Sequence, residues 1–385
     1  MTAGRVAIVG VGFTTAQPTT PFLSFKELIF EAAQKAYLDA AVEPAQIGAF
    51  VTCAEDLNEG ISIFDEYTPD QLGAMQKPMH TLTEDGLYGI ADAVMQIQAG
   101  VADLVAVEAH SKASNIVAPG WLLDYALDPL WNRPLGFNPQ AIAGLEMNGF
   151  LHETGITPAQ CAHVVAKNRT HALRNPAAAY PLRLNPDDIE GSPYLSYPLR
   201  AAETAQAADG CAVIVVANER KARELRSDPV WIKGFGFASD SPTLESRSWA
   251  LPAYAYVAAE MAYRQAGIQN PPDEVDLFEV DDTYAYKELQ HLIALKLYAQ
   301  PGDAGRAVES GETKLGGPIP VNVSGGALGM GAMLEAGGLY RIVELVLQLR
   351  GRAGRRQVAN ARTGLALSWR GVPTASGAVV ILSSE

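Results

Sequence analysis

Apolar residues follow two alternating patterns along the chain: short continuous runs, and longer stretches in which they recur every three or four positions. Each short run predicts a buried strand, and the longer stretches between them predict helices. The runs lie at residues 5–11, 48–53, 101–110, 211–217, 229–238, 275–281, 362–369 and 376–382. Because strands and helices alternate, the pattern predicts an α/β fold with a mostly parallel sheet.

The clearest helix start is at Ser24. Ser24 and Glu27, three residues later, form a capping box, so a helix is predicted from Ser24 through Leu38. Further helices are predicted at residues 83–99, 158–173, 252–266, 284–297 and within 334–351. The last of these carries apolar residues at three- and four-residue steps, which predicts one buried face.

Three stretches depart from this alternation. Residues 115–205 contain many prolines, aromatic residues and short helical segments, which predicts an insertion over the sheet. The acidic segment 55–70 has no clear period, and we expect a surface loop there, at an oligomer contact. Residues 311–338 are too rich in glycine for an ordinary helix or strand. They predict a backbone-shaped loop, entered by the strand-like PIPVN, that lets a ligand or another backbone approach closely.

A chain of 385 residues is long enough for two domains or two fused halves, which we expect at residues 1–225 and 226–385. The formal net charge of −14, with no face rich in lysine or arginine, argues against a nucleic-acid partner. The short basic patch at 350–356 has two interpretations: a solvated helix end whose cations complement the dipole, or a contact with a ligand's phosphates.

Three cysteines are too few and too far apart for a disulfide framework or a Cys-x-x-Cys metal site. They are Cys53, Cys161 and Cys211. We expect no metal, a reducing compartment and inert buried thiols at Cys53 and Cys211. Because no apolar run approaches about 20 residues and the N-terminus lacks a signal-peptide pattern, the sequence predicts a cytoplasmic protein without a membrane anchor.

Four segments together resemble the thiolase superfamily, in the branch that includes sterol-carrier-protein-type thiolases and lipid-transfer proteins. PVNVSGG at 320–326 is similar to its C-terminal glycine loop, and EVDDTYAYKEL at 279–289 to its Glu-Val-His-Asp-x-Phe-x-x-x-Glu-Leu segment. HALRNPAAAY at 171–180 and AADGCAVIVVAN at 207–218 are similar to two further family segments. The resemblance rests on the order and spacing of these four segments taken together.

The resemblance implies a thiolase fold, which is a five-layered αβαβα core built from two similar halves, with the inserted loops over an acyl-CoA site. It implies a homodimer, and a small partner protein that carries a zinc ribbon and an OB-fold. It implies no permanently bound cofactor, with a coenzyme A thioester as substrate or ligand.

The catalytic side chains of the family are replaced in this sequence. Where the family has a nucleophilic cysteine in Cys-x-Ser-Gly, the matching residues are Thr83-Glu84-Asp85-Gly86. The family's His-Asp pair corresponds to Asp281-Asp282, and its Gly-His-Pro to Gly331-Ala332-Met333. Transfer through an acyl-cysteine therefore requires groups that are absent.

The replacements suggest other chemistry. Thr83 is a candidate weak nucleophile or donor, while Glu84, Asp281 and Asp282 are candidate general bases beside Tyr284, a set suited to retro-aldol cleavage of a 3-hydroxyacyl-CoA. Helix capping by Thr81 and Glu84 is the competing interpretation at the first position. Packing is the competing interpretation for Tyr284 and Tyr286. His80 and His110 are interpreted as surface or loop residues rather than catalytic groups.

The glycine loop supplies four candidate substrate-binding residues: Asn322, Ser324, Gly325 and Gly326. Two hypotheses follow. The first is an acyl-CoA-binding thiolase-like enzyme with non-thiolytic, aldolase-like carbon–carbon bond chemistry. The alternative is a catalytically silent thiolase-like subunit of a multiprotein complex that processes acyl-CoA.

Overall fold

The computed structural model describes residues 4–55, 63–116, 124–241, 243–371 and 375–385. Nine strands form one sheet in the order β3-β2-β4-β7-β1-β8-β11-β10-β9, and β5 and β6 form a separate hairpin. The strands are β1 (Val6–Phe13), β2 (Ala49–Cys53), β3 (Met79–Leu82), β4 (Leu104–Lys112), β5 (Tyr194–Ser196), β6 (Leu199–Arg200), β7 (Asp209–Asn218), β8 (Val230–Ser239), β9 (Leu277–Val280), β10 (Thr363–Gly371) and β11 (Ala375–Ser383).

The helices lie mostly between the strands. They are α1 (Phe25–Ala40), α2 (Phe64–Tyr67), α3 (Pro69–Leu72), α4 (Gly86–Gln98), α5 (Pro139–Thr154), α6 (Pro158–Ala172), α7 (Pro186–Glu190), α8 (Glu219–Leu225), α9 (Ala253–Ala266), α10 (Pro271–Glu274), α11 (Ala285–Ala294), α12 (Pro301–Ser310), α13 (Gly326–Met330) and α14 (Ala336–Leu349). Within the described ranges, no helix is both long and apolar enough to cross a bilayer.

The elements form five layers. Helix α1 covers one face of β1, β7 and β4, and α9 covers the outer face of β8 and β11. Helices α4 and α14 contact each other and lie between the two halves of the sheet. The halves repeat one topology, since β1-α1-β2-α4-β4-β7 corresponds to β8-α9-β9-α14-β10-β11. The expected αβαβα architecture is confirmed, and the boundary at residue 225 stays a prediction.

The sheet is mixed, so the expectation of a mostly parallel sheet is wrong. Only β2–β3, β2–β4 and β9–β10 pair in parallel among the strands of the large sheet. The predicted strands at 362–369 and 376–382 lie too close in sequence for the crossover connection that a parallel pair requires. They form the antiparallel pair β10–β11.

Three further expectations are corrected. PIPVN is not a strand, because only a single bridge joins Phe278 to Val321. Thr81 does not cap α4: it lies in β3 and hydrogen-bonds to Asp65, while Asp85 is the N-cap. Helix α14 is buried on nearly all sides rather than on one face, because it lies between two sheet halves.

One carboxylate joins the two central helices at their N-termini. Asp85 accepts a hydrogen bond from the backbone N–H of Leu87 in α4 at 2.9 Å and from that of Gly338 in α14 at 3.0 Å. Helix N-termini carry unsatisfied N–H groups and partial positive charge, so a shared carboxylate stabilises both. Position 338 has no room for a side chain, because a Cβ there would lie 1.9 Å from Asp85 Oδ1.

We therefore expect Gly338→Ala to destabilise the fold by about 1–3 kcal/mol, since the methyl group displaces the Asp85 carboxylate. Gly337→Ala is the matched control, because its Cβ meets no atom closer than Arg341 Nη1 at 3.5 Å. Urea unfolding of both variants measures the difference. Equal stability of the two variants would show that Asp85 does not hold the helices together.

Candidate active site

A cavity of about 880 Å³ lies where the N-termini of α4 and α14, the end of β9 and the glycine loop converge. Six of the residues that the sequence proposed line this cavity, and they come from three separate segments. They are Thr83, Glu84, Asp281, Tyr284, Ser324 and Gly326. Asp282, Asn322 and Gly325 are buried outside its lining.

Glu84 is the proposed acid with the clearest access to the cavity. It is half-buried and accepts a hydrogen bond from Ser376 Oγ at 3.0 Å. Burial, and next the charge of Asp85, raise the pKa of Glu84 above its ordinary value. A carboxyl group with a raised pKa in a cavity is suited to exchange a proton with a ligand.

Thr83 is exposed, and its backbone carbonyl accepts a hydrogen bond from Arg370. Arg370 also forms ion pairs with Glu55 and, at 3.6 Å, with Glu335. In the described part of the chain, no histidine hydrogen-bonds to the Thr83 hydroxyl. Because a hydroxyl needs a base to become a nucleophile, the cavity lacks an activated nucleophile at this position.

Asp281 is held in place through both its carboxylate and its backbone carbonyl. Its carboxylate accepts hydrogen bonds from the backbone N–H of Thr283 at 2.9 Å and from Arg341 Nη2 at 2.6 Å. Its backbone carbonyl lies 2.8 Å from His291 Nδ1, so this nitrogen must be the donor. A carboxylate in such an ion pair is a poor base, and its evident effect is to orient Arg341.

Asp282 is sealed behind the cavity wall. It accepts hydrogen bonds from Asn168 Nδ2 at 2.7 Å, from the backbone N–H of Leu328 at 3.3 Å and from that of Ala327. A Cβ at Gly326 would lie 2.2 Å from its carboxylate, which explains the glycine. Burial, followed by the charges of Glu288 and Asp281, raises the pKa of Asp282 to about 7.

Asn322 shapes the glycine loop from within. Its side chain accepts a hydrogen bond from the backbone N–H of Val280 at 2.8 Å and donates one to Glu288 at 2.7 Å. Its backbone has a left-handed φ of 51°, which asparagine tolerates better than most residues. Helix α6 and the segment after it support the loop: His171 Nδ1 in α6 lies 2.9 Å from the Asn322 carbonyl, and Asn175, three residues beyond the helix, donates to the Ser324 carbonyl at 2.9 Å.

Sequence reasoning missed two cavity residues, Arg341 and Trp369. Both are buried, and Arg341 Nη1 and Trp369 Nε1 have no hydrogen-bond partner among the described residues. An unpaired buried donor is costly, so each is suited to bind an oxygen atom of a ligand. A signal for Arg341 was present: it is a charged residue in a helix that is otherwise apolar on nearly every side.

Tyr284 presents its side chain to the same cavity. Its ring contacts that of Trp369 edge-on, with centroids 6.0 Å apart. Burial raises the pKa of Tyr284 to about 12, so its hydroxyl stays protonated at neutral pH. No side chain or backbone group in the described ranges hydrogen-bonds to this hydroxyl. It is therefore available as a donor to a ligand.

The cysteines and histidines do not supply the missing chemistry. All three cysteines are buried, and burial raises the pKa of each thiol well above its ordinary value. The expectation that Cys53 and Cys211 are buried is confirmed, and their lack of reactivity stays a prediction. His110 is fully buried, with Nδ1 2.9 Å from Glu108, so its interpretation as a surface or loop residue is wrong. His80 is partly exposed and pairs with Asp92 at 3.2 Å.

Known proteins resemble this chain over most of its length. Residues 236–384 match the family model described as thiolase C-terminal domain-like. An acetyl-CoA acetyltransferase from Methanothermobacter thermautotrophicus is 30% identical over 368 residues, which cover 94% of each chain. Sterol carrier protein 2 from Gallus gallus is 29% identical over 388 residues, which cover 94% of this chain and 69% of the relative.

Other similar proteins are named as a lyase and an aldolase. A 17-hydroxy-3-oxo-4-pregnene-20-carboxyl-CoA lyase from Mycobacterium tuberculosis is 28% identical over 390 residues, covering 97% of this chain and 98% of the relative. The solved structure of an Ltp2-ChsH2(DUF35) aldolase superposes with a TM-score of 0.85 at 25% identity, covering 100% of this chain and 98% of that one. The similar proteins thus include both an acyltransferase and carbon–carbon bond-cleaving enzymes.

The raised pKa of Asp282 predicts how stability changes with pH. Between about pH 4, the ordinary aspartate value, and pH 7, the folded protein keeps a proton that the unfolded chain releases. The contribution of Asp282 to the free energy of unfolding should therefore be largest below this range and fall as the pH rises through it. Glu279, whose pKa burial raises to about 8, contributes with the same sign.

We expect Asp282→Asn to shift the slope of the free energy of unfolding against pH toward more positive values between about pH 4 and pH 7. The variant removes a group whose contribution to stability falls with pH over that range. The measurement is urea unfolding at several pH values between 4 and 8. The control is Asp70→Asn, which removes a carboxylate from an exposed position, and its curve should run parallel to wild type. An unchanged slope in Asp282→Asn would contradict the assignment of Asp282 as a buried titrating group.

Proposed function

Because this chain belongs to the sterol-carrier-protein-type branch of the thiolase superfamily, and a threonine stands where that superfamily has its nucleophile, we propose that it is a carbon–carbon lyase. The proposed reaction is retro-aldol cleavage of a 3-hydroxyacyl-CoA thioester into a carbonyl product and a shorter acyl-CoA. The observation that carries the proposal is the pairing of the half-buried Glu84 carboxyl group with the unpartnered Nη1 of Arg341 in one cavity, whose described lining contains no thiol.

Retro-aldol cleavage needs a base for the 3-hydroxyl group, and the proposed base is Glu84. Removal of the hydroxyl proton allows the C2–C3 bond to break, which leaves a carbonyl at C3 and an enolate on the thioester. Among the acids that sequence reasoning considered, Asp281 is tied to Arg341 and Asp282 is sealed from the cavity. The contacts therefore favour Glu84, which lines the cavity and whose pKa is raised by burial.

Negative charge on the enolate oxygen must be stabilised, and Arg341 is the proposed donor. Its Nη1 has no hydrogen-bond partner in the described part of the chain, and Asp281 fixes the other arm of the guanidinium. A preorganised donor in a buried site stabilises developing charge more than the same group would in water. The protonated hydroxyl of Tyr284 is proposed to donate to the oxygen on C3.

The coenzyme A thioester is the proposed substrate class, and no permanently bound cofactor is invoked. The names of two relatives, one an acetyltransferase and one a lyase, each contain coenzyme A.

The similar aldolase structure is named as an assembly of two components, Ltp2 and ChsH2. By analogy, we propose that this chain works with a second protein, a small subunit carrying a zinc ribbon and an OB-fold, and that it forms a cytoplasmic homodimer.

The first test of this proposal is cleavage of 3-hydroxyacyl-CoA esters of increasing acyl size, beginning with 3-hydroxy-3-methylbutanoyl-CoA. Wild type should release free acyl-CoA from at least one ester. Glu84→Gln should lose about 100-fold or more in kcat, the usual scale for a general base. Glu309→Gln, an exposed change outside the cavity, is the control and should retain full activity.

Intact-protein mass spectrometry in the same experiment should find no stoichiometric acyl adduct, because Thr83 has no activating histidine among the described residues and the described lining contains no cysteine. An adduct on Thr83, Cys53 or Cys211 would overturn the lyase proposal in favour of acyl transfer. Binding of coenzyme A esters without cleavage of any of them would instead favour a catalytically silent subunit.

A second test addresses Arg341. We expect Arg341→Met to lower kcat by about 100-fold or more, the scale measured for loss of an oxyanion donor. Asp281→Asn should lower kcat by a smaller factor, because it removes the orienting carboxylate but leaves the guanidinium. Steady-state kinetics of the two variants and of Asp282→Asn provide the comparison. A wild-type kcat in Arg341→Met would reject its assignment as the oxyanion donor.

A further inference from the structure

Glu279 is a fully buried carboxyl group that forms no salt bridge in the part of the chain that the structure describes. It lies in β9, and both its oxygens accept from one residue of the glycine loop: Oε1 from the backbone N–H of Ser324 at 3.0 Å, and Oε2 from the Ser324 hydroxyl. The charged groups facing it belong to α14. They are Glu344, which pairs with Arg356 at 2.7 Å, and Arg341.

Ser324 separates this carboxyl group from the cavity. It lines the cavity, and its Oγ also accepts a hydrogen bond from the backbone N–H of Gly326 at 3.2 Å. A hydroxyl group has two lone pairs and one proton. When Glu279 is protonated, its O–H can donate to one lone pair of Ser324 Oγ, while the backbone N–H of Gly326 donates to the other. The hydroxyl proton of Ser324 is then not needed for the bond to Glu279 and can point into the cavity.

Glu279 favours this neutral state. Burial is the main cause, and the neighbouring charge of Glu344 adds to it; together they raise the pKa of Glu279 to about 8. Among the described residues, Ser324 is the only one that hydrogen-bonds to the carboxyl group of Glu279.

We propose that Glu279 and Ser324 form a proton relay that protonates C2 of the thioester enolate left by C2–C3 cleavage. This inference rests on the proposed lyase function and deepens it by assigning a second acid to the same cavity. Ser324 is then the group that touches the substrate. Glu279 acts through it.

The step balances as follows. The Ser324 O–H bond breaks as a C2–H bond forms, while the Glu279 O–H bond breaks and a new O–H bond forms on Ser324. The electron pair of the enolate becomes the C2–H bond, and the charge passes to the Glu279 carboxylate. After product release, Glu84 gives the former hydroxyl proton to water, and Glu279 regains one from water through the serine. No oxidant or reductant is required.

Microscopic reversibility supplies the test, since a group that protonates C2 also removes a proton from it. In D₂O, wild type should exchange the C2 hydrogens of acetyl-CoA for deuterium, measured by mass spectrometry of the recovered thioester. Ser324→Ala and Glu279→Gln should each slow this exchange by about 100-fold or more, the scale of general acid–base catalysis. Ser324→Thr keeps the hydroxyl and should retain part of the exchange.

Ser310→Ala, outside the cavity, is the matched control and should exchange like wild type. Circular dichroism of each variant checks folding, and the pair Ser324→Ala and Ser324→Thr tests the relay even if Glu279→Gln does not fold. Wild-type exchange in Ser324→Ala, or a wild type that cleaves substrate without exchange, would overturn the relay while leaving the lyase proposal intact. A wild type that neither cleaves nor exchanges overturns both.

Discussion

The Asp85 carboxylate is the interaction on which the arrangement of the cavity depends. It is 6% exposed and is shared by the N-termini of α4 and α14, the two helices that lie between the sheet halves. Each terminus has N–H groups that nothing in its own helix can satisfy. By binding one from each helix, the carboxylate fixes the two termini against each other, and the cavity opens where they meet. Glu84 and Arg341 reach the cavity from these same termini.

Buried charge gives the residues around the cavity different roles. Arg341 neutralises Asp281, so that acid serves as an anchor, whereas Asp282 and Glu279 lie among backbone and amide donors without a salt bridge in the described ranges. An acid without a cation keeps its proton more readily when buried. Burial thus accompanies two outcomes within four residues: an ion pair at Asp281 that orients Arg341, and raised pKa values at Glu279 in β9 and at Asp282 just beyond it.

The glycine loop does not depend on catalytic side chains for its shape. Asn322 hydrogen-bonds to β9 and to Glu288, while His171 of α6 and Asn175 in the segment after it hold the loop. None of these contacts involves Thr83 or residues 331–333, where the resemblance to the family predicts that its catalytic groups are replaced. The shape of the loop therefore does not depend on the side chains at those positions.

Hydrophobic periodicity in the sequence identified the main strands and helices, because it is a local pattern. The resemblance to the thiolase superfamily predicted the five layers, and it singled out the segments at 83–86, 281–284 and 322–326, which contribute residues to one cavity. Only the tertiary structure decided that Asp282 is sealed, that Asp85 rather than Thr81 caps α4, and that Arg341 lines the cavity. Those facts depend on which distant side chains meet: Gly338 lies 253 residues from Asp85, and Arg341 lies 60 residues from Asp281. Burial and charge pairing across such separations leave no periodic trace in a single sequence.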